Sequence, residues 1–389
     1  MSDIDFSNTK DWDGIKVEGN VDGNNYSINN YNQNEALFYK CSGSIKDLTM
    51  NNSSGKNGSP FCNELYAGTL TNIKINADIT VELTTMKYED VIMHSSDYEP
   101  SVCIGGIVDT AYRRSDDYEP NIASCSFKGD ITVNYKQIKE RSQTEQEVSV
   151  GGIVGYSDHC NINNCIATGN ITYKEQGDKA VLEEEGYDAI LHLVYLGGIV
   201  ADTKVSNVRN TANNMDIKAS TKCTVYAGGI IGNSDVIGDG PQIAQCCNSG
   251  DIELKSRDTD VCQAGGICAR ADSYLPVITD CYNSGNIAAQ EVAGISVNSA
   301  VISKCYNKGK LSGSKATGSL LVNKSESVEY SYYLDAGFPA IYDGGKYPTV
   351  KALSSEAMQN QESYEGFDFE DVWTMGTDNY PTLSHTLTQ

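Results

Sequence analysis

Residues 265–287 read GGICARADSYLPVITDCYNSGNI and contain both halves of a degenerate repeat. The first half is a Gly-Gly-Ile phrase that begins at Gly265. The second half has the form Ile-x-x-Cys-x-Asn-x-Gly-x-Ile and runs from Ile278 to Ile287. Short apolar runs alternate here with Gly, Asn, Asp and Ser, which is typical of short strands separated by tight turns.

Both phrases recur along the chain. Gly-Gly-Ile begins at Gly105, Gly151, Gly197, Gly228 and Gly265, with weaker echoes at residues 293–295 and 317–319. The second phrase recurs at residues 243–252 and 302–311, while residues 122–131 and 162–171 keep its Cys and Gly but lose its Asn. The second glycines lie 46, 46, 31, 37, 28 and 24 residues apart, so the minimal unit has about 24 residues and the excess is loop.

A unit of this size cannot cover its own apolar face, so it is stable only when stacked on its neighbours, about 4.8 Å apart. We predict an all-β chain that forms a right-handed parallel β-helix of about ten turns. The helix is expected to occupy residues 1–350, after an N-terminal leader turn, with charge-rich inserts at 134–148 and 173–195. Residues 351–389 are expected to cap the exposed end of the stack with four aromatic residues, Phe367, Phe369, Trp373 and Tyr380.

Two residue types occupy repeated positions and predict internal ladders. Cysteine does so at Cys125, Cys165, Cys246, Cys281 and Cys305. Stacked strands hold equivalent Cβ atoms about 4.8 Å apart, whereas a disulfide needs about 3.8 Å, so we expect buried thiols. The vicinal pair Cys246-Cys247 should direct one side chain inward and one outward. Asparagine, which tolerates left-handed backbone, is expected to form a ladder at one corner through Asn210, Asn248, Asn283 and Asn307.

The charge of the chain restricts its partners. A formal net charge of -23 repels nucleic-acid phosphates and anionic lipid, so neither is an expected partner. No apolar stretch approaches the roughly 20 residues that span a bilayer, and no leader sequence is visible. These two facts fit either a cytosolic protein or an exported protein whose signal peptide has been removed. We expect the second, with an extracellular or cell-surface monomer.

The repeats resemble the GLUG repeat of large exported proteins from Gram-positive and Bacteroidetes bacteria, many of them anaerobes of the gut. The resemblance rests on residues 151–155, 281–285 and 305–309, which read GGIVG, CYNSG and CYNKG. Residues 17–28 resemble the family's leader turn, and residues 366–383 resemble its closing segment. The resemblance implies an exported, adhesin-like stalk or binding module, because the repeats are not the catalytic part of the proteases they flank. Reduced thiols would suit an anaerobic habitat.

Exposed tyrosines are the candidate binding residues. Asp-Tyr-Glu-Pro occurs twice, placing Tyr98 and Tyr118 in loops on either side of one Gly-Gly-Ile strand. Tyr282 and Tyr306 neighbour the cysteine ladder but should point outward, where the rings could bind a glycan or a host protein. Packing beneath a loop explains these last two tyrosines equally well.

Metal and catalytic sites are less favoured by the sequence. No zinc motif is present, and calcium could bind at Asp116-Asp117 with Glu119, or at Asp235 with Asp239, if those loops are not simply solvated. We expect no cofactor and no metal.

Parallel β-helices also host polysaccharide lyases and hydrolases, which makes Asp216 and Asp251 a conceivable carboxylate pair. Related positions hold Asp or Asn in most other copies, which favours a turn role instead. We therefore expect a non-enzymatic binding or adhesion module; a structural spacer and a carbohydrate-active enzyme are the alternatives.

Overall fold

The chain winds into a parallel β-helix in which a full turn contains four strand positions. The computed structural model describes residues 2–84, 102–113, 118–136, 146–176, 192–235, 242–256, 261–271, 275–323, 325 and 327–385. Within them, each strand position stacks in parallel register on the same position of the next turn. The fold predicted from the repeat is therefore confirmed.

The first and second strands of each turn lie on either side of a tight corner. First strands are Asn121–Ala123, Asn161–Asn163, Asn207–Arg209, Gln242–Ala244, Val277–Thr279, Val301–Ser303 and Val328–Glu329. Second strands are Ser126–Lys136, Ile166–Gln176, Ala212–Thr221, Cys247–Asn248 with Ile252–Ser256, Tyr282–Asn283, Tyr306–Asn307, Tyr332–Leu334 and the closing rung Lys351–Leu353. In the early turns the two positions merge into Asn20–Asn29, Ser44–Gly55 and Thr69–Thr84.

The third and fourth strands meet at the Gly-Gly corner. Third strands are Val102–Gly105, Gln146–Gly151, His192–Gly197, Thr224–Gly228 and Cys262–Gly265; Ile287–Ala293 and Leu311–Gly318 span the second and third positions together. Fourth strands form an eight-stranded sheet of Ile15–Val17, Phe38–Cys41, Cys62–Tyr66, Val108–Tyr112, Val154–Asp158, Val200–Lys204, Ile231–Asp235 and Cys268–Ala271. Single bridges continue this sheet through Ser296, Leu321 and Ile341, in keeping with about ten turns.

The remaining elements lie at the two ends of the chain. The leader strand Ile4–Asp5 pairs with the first turn at Ile28. After the closing rung come a short α-helix, Ser355–Met358, a 3-10 helix, Gln361–Ser363, and an antiparallel pair, Trp373–Met375 and Pro381–Leu383.

The structure shortens both predicted inserts. Strands extend through residues 134–136 and 146–148 of the first insert, and through 173–176 and 192–195 of the second. Residues 137–145 and 177–191, the middle parts of the two inserts, lie outside the described residues.

The Gly-Gly corner depends on close approach between turns. A Cβ on Gly229 would lie 2.1 Å from the carbonyl oxygen of Gly266 in the next turn and 2.4 Å from Cγ of Asn248. Only hydrogen fits in that space. None of the glycines of the Gly-Gly-Ile phrases has positive φ, and the left-handed residues lie at another corner.

That second corner separates the first strand from the second. Its left-handed residue varies in type and is Ser124, Asn164, Asn210, Gln245, Asp280, Lys304 or Tyr330 in successive turns, with φ between 44° and 59°. Left-handed backbone costs most residues free energy, so the stacked register, rather than the local residue, determines this conformation.

An asparagine ladder runs through the interior, but its first member was wrongly predicted. Asn213, Asn248, Asn283 and Asn307 are aligned turn on turn and are at most 2% exposed. Each Nδ2 donates to the carbonyl two residues ahead, and from one asparagine to the next it also donates to Oδ1 at 2.7–2.8 Å. Asn210 instead lies at the left-handed corner and donates to Oδ1 of Asn163 at 3.0 Å. The ladder joins the two repeat phrases in the turns that have it, because its amides fill the space beside Gly198, Gly229, Gly266 and Gly294.

The five predicted ladder cysteines lie in the core and form no disulfide. Thr211 and Ser331 occupy the same position in two turns that lack cysteine, and they bond to Cys246 and to the backbone N–H of Cys305. The Sγ atoms of the five cysteines donate to the carbonyl two residues earlier, at 3.1–3.4 Å. Cys246 points into the core while Cys247 lies on the outer face, as predicted for the vicinal pair.

Thiol alkylation should report this burial directly. None of the thirteen cysteines forms a disulfide bond, and only Cys103 is partly exposed. Burial also raises the pKa of several thiols, to about 11 for Cys41 and about 12 for Cys268, which suppresses the reactive thiolate. We expect iodoacetamide to modify at most Cys103 in the native protein and all thirteen cysteines after unfolding, as counted by mass spectrometry. Rapid native labelling of a ladder cysteine would contradict the arrangement.

The C-terminal segment covers the side of the rod instead of its end. Residues 354–385, here called the strap, pack on an outer row in which Ile166, Ala212, Cys247, Tyr282, Tyr306 and Tyr332 stack turn on turn. In the preceding turns the same row continues as Ser126 and Lys74, which are polar. The predicted end cap is therefore corrected to a lateral cover, and the parallel sheet extends beyond residue 350 through Lys351–Leu353.

Candidate functional site

An open polar groove lies at the N-terminal turns. Its volume of about 590 Å³ is within the range of about 300–1,000 Å³ that is usual for small-molecule sites. Nine residues line it: Phe6, Ser7, Thr9, Asn30, Asn32, Gln33, Asn52, Ser53 and Ser54. None of the nine is ionisable, although the chain as a whole carries a formal charge of -23.

Hydrogen bonds between turns fix the groove's amides. Asn30 and Asn52 both have left-handed backbone, and the Nδ2 of Asn52 donates to Oδ1 of Asn30. The Nδ2 of Asn30 in turn donates to the Asp5 carboxylate at 2.9 Å, and this bond holds the pKa of Asp5 below its ordinary value. Ser54 donates to Oδ1 of Asn32 at 2.9 Å. The amides are therefore held in place before any ligand arrives.

Two groups in the groove remain available to a ligand. Among the bonds of the described residues, Nδ2 of Asn32 donates to no acceptor and Oδ1 of Asn52 accepts from no donor. Both side chains are exposed. The floor is closed by Phe6, which packs edge-on against Trp12 and Tyr31 and offers no open ring face.

Sequence reasoning missed the groove, although a signal was present. Residues 29–32 read NNYN and residues 51–54 read NNSS, at a spacing of 22 residues. One turn of the helix aligns the two segments, since Asn32 bridges to Ser54. The early turns lack the Gly-Gly-Ile phrase, so the repeat used to set the register did not reach them.

The predicted tyrosines have three different outcomes. Tyr118 is 64% exposed and remains a candidate contact residue, while Tyr98 lies outside the described residues. The open surface expected around Tyr282 and Tyr306 is wrong, because Tyr306 is fully buried beneath the strap and donates to the carbonyl of Pro381. Tyr282 stacks on Tyr306 with ring centroids 5.1 Å apart. Packing, the alternative considered for these two rings, accounts for both.

Polar contacts fasten the strap to this row. The indole of Trp373 donates to Oδ1 of Asp280 at 3.1 Å, and the hydroxyl of Tyr332 donates to the carbonyl of Glu365 at 2.8 Å. Lys308 pairs with Asp378 at 2.7 Å and lies 3.9 Å from the centre of the Tyr380 ring. The strap is thus a structural cover over an apolar stripe.

The candidate carboxylate pair has a corner role. Oδ1 of Asp216 accepts from the backbone N–H of Asp251 at 2.9 Å, and Oδ1 of Asp251 accepts from the backbone N–H of Asn286 at 2.7 Å. Lys310 then donates its backbone N–H to Asn286 at 3.2 Å. Each side chain caps the next turn, which supports the turn interpretation over catalysis.

The described residues contain no group of three or more His, Cys, Asp or Glu side chains that could hold a metal ion. Of the calcium candidates, Asp116, Asp117 and Asp239 lie outside the described residues. Nor does any helix in the described part of the chain have the length and apolar character needed to cross a membrane.

Asp109 is the most perturbed carboxyl among those described. It is 5% exposed, and its Oδ1 accepts from the backbone N–H groups of Gly105 and Ser59 at 2.9 and 2.8 Å. Burial raises its pKa to about 8, although the two N–H bonds act to lower it. This group caps the first Gly-Gly corner, because it satisfies backbone donors from two adjacent turns.

Asp109 should make the protein less stable as pH rises. Its folded pKa lies above the ordinary value of 3.8, so ionisation favours the unfolded chain. The contribution of Asp109 is therefore greatest below about pH 4 and is lost as pH rises to about 8. At pH 9 we expect Asp109→Asn to have a higher free energy of unfolding than the wild type, by a few kcal/mol at most, as measured by denaturant unfolding. Near pH 4 the two should have the same free energy of unfolding. Asp130→Asn, an exposed corner substitution, is the control; equal pH slopes for wild type and Asp109→Asn would contradict this account.

Comparison with known proteins supports the interpretation of the repeat. Residues 147–172 match the family model of the GLUG motif. The chain carries the GLUG motif. The matched segment corresponds to one turn, since it runs from a third strand through the Gly-Gly corner at Gly151 and past Cys165 into the next second strand. The matched GLUG motif thus corresponds to one turn of the β-helix.

One solved structure with a similar chain is that of a "putative immunoglobulin A1 protease" from Bacteroides ovatus. The two chains are 14% identical, with a TM-score of 0.42, over 99% of this chain and 84% of that one. No curated protein matches the sequence.

Proposed function

We propose that the chain is a non-enzymatic extracellular binding module, a rigid rod that makes its contacts through its surface. The observation that carries the proposal is the N-terminal groove. It is an open concavity whose exposed amides are not fully used by the fold, whereas the repeated Asp, Asn and Cys positions elsewhere bond from turn to turn. Rigid scaffolds with exposed polar concavities are suited to recognition without chemistry.

A binding screen of the intact chain tests this function. The chain would be applied to an array of neutral and charged glycans and to immobilised host surface glycoproteins, with and without residues 177–191 replaced by a Gly-Ser linker. We expect binding to at least one of these ligands and no turnover of it. Failure to bind either class at millimolar concentration would contradict a binding role and favour a spacer. Release of a cleaved glycan product would favour the enzyme.

A further inference from the structure

We infer that the N-terminal groove takes a neutral carbohydrate, an inference that rests on the proposed binding function and names its ligand class. The ligand class follows first from charge. A strongly acidic chain repels anions, and the nine lining residues offer no cation to compensate. A cationic ligand would find its partners among the many carboxylates elsewhere. An uncharged ligand is the one that the groove favours over the rest of the surface.

Hydrogen-bonding groups narrow the class further. Asn32 presents a donor and Asn52 presents an acceptor, on adjacent turns of the rod. Seryl and threonyl hydroxyls beside them can donate or accept. A sugar hydroxyl also does both, so a ring bearing several hydroxyls can satisfy the two amides together. An apolar ligand would leave both amides without partners and would lose that free energy.

The groove's floor sets the expected affinity. Sugar sites gain much of their affinity from an exposed aromatic face, and the Phe6 ring is only 7% exposed and is already packed. Binding must then depend on a few hydrogen bonds that compete with water. We expect dissociation constants on the order of 1 mM for a single disaccharide, with tighter binding only through several copies on a surface.

The test measures disaccharide binding by saturation-transfer NMR and titration calorimetry, using lactose, cellobiose, diacetylchitobiose and mannobiose as neutral probes. Sialyllactose is the charged counterpart of lactose. We expect at least one neutral disaccharide to bind, and Asn32→Ala with Asn52→Ala to weaken it at least tenfold. We also expect sialyllactose to bind more weakly than lactose at low salt, with the difference narrowing as salt rises.

Asn214→Ala is the matched control. It removes an exposed asparagine that accepts from Ser249 at 2.6 Å, the same Asn-Ser bond between turns that Asn32 makes with Ser54, but far along the rod from the groove. It should leave affinity within twofold, and thermal unfolding should show all variants folded. Equal binding by the Asn32 and Asn52 double variant, or a preference for sialyllactose, would overturn the inference. Binding only to a protein would also overturn the inference, as would glycan binding that the double variant leaves unchanged. Both results would leave the proposed function in place.

Discussion

Replacing Gly229 with alanine is expected to lower the free energy of unfolding by about 3 kcal/mol or more. The added Cβ would lie 2.1 Å from a backbone oxygen of the next turn and 2.4 Å from a side chain across the core. A backbone oxygen cannot rotate away. Two adjacent turns must separate, which weakens their parallel pairing.

The same reasoning explains where the chain tolerates another residue at this position. Ser319 occupies the second-glycine position in the last turn, and its hydroxyl donates to the carbonyl of Phe338 at 3.2 Å. The turn that follows it is irregular, so no Gly-Gly corner stacks on Ser319. The requirement for glycine therefore comes from the turn above and not from the local backbone. The weak echo of the phrase at residues 317–319 is therefore shifted by one residue from its apparent alignment. Gly318 pairs with Ala293 and occupies the first-glycine position, which leaves Ser319 in the second.

Denaturant unfolding followed by circular dichroism, with hydrogen exchange to locate the loosened turns, measures the effect. Gly19→Ala is the matched control, because a Cβ at Gly19 would meet nothing within 4 Å. Its stability should change by no more than about 0.5 kcal/mol. Comparable unfolding of the two variants would show that the close approach at the Gly-Gly corner does not matter. Protection lost only around Gly229 and Gly266 would show local opening in place of global unfolding, as stacked repeats allow.

The extent of the fold was predictable because stacking imposes one residue type at one position in many turns. Cys125, Cys165 and Cys246 show this. Each lies at the same distance from a preceding isoleucine, and this alignment alone placed the three at one position in different turns. The lateral strap was not predictable, since residues 354–385 contain no repeat. Their aromatic content indicated burial, but only the outer row from Ile166 to Tyr332 shows on which surface.

The candidate site escaped prediction for a related reason. The groove forms where the leader segment at Ser7 and Thr9 meets two early turns, and neither phrase of the repeat is present there. A surface concavity between non-repeating segments has no periodic signature. Asn210 illustrates the opposite error, in which a periodic reading was available but was misaligned. Counting back from Ile217, which pairs with Ile252, places Asn213 in the ladder.

Asn248→Ala is expected to lower the free energy of unfolding by about 3 to 5 kcal/mol, because it breaks the interior ladder at its centre. Its Oδ1 accepts from Asn213 at 2.7 Å and from the backbone N–H of Gly250 at 3.3 Å. Its Nδ2 donates to Oδ1 of Asn283 at 2.7 Å and to the carbonyl of Gly250 at 3.0 Å. Truncation leaves these groups buried without their partner and opens a space that water is poorly placed to fill.

Asn248→Asp separates hydrogen bonding from size. The carboxylate keeps the shape but replaces a donor with an acceptor that faces Oδ1 of Asn283, and it buries a charge. Its loss of stability should exceed that of Asn248→Ala at pH 8 and shrink as pH falls, since protonation restores a donor. Asn210→Gly is the control, because glycine keeps the left-handed backbone and removes only a partly exposed amide; it should change stability by less than about 1 kcal/mol. An equal loss of stability in Asn210→Gly and Asn248→Ala would show that burial in the interior does not account for the importance of the ladder amides. If instead only the Asn248 variants lose stability, the amide ladder and the glycines that pack against it act as one unit in the turns of Gly198, Gly229, Gly266 and Gly294.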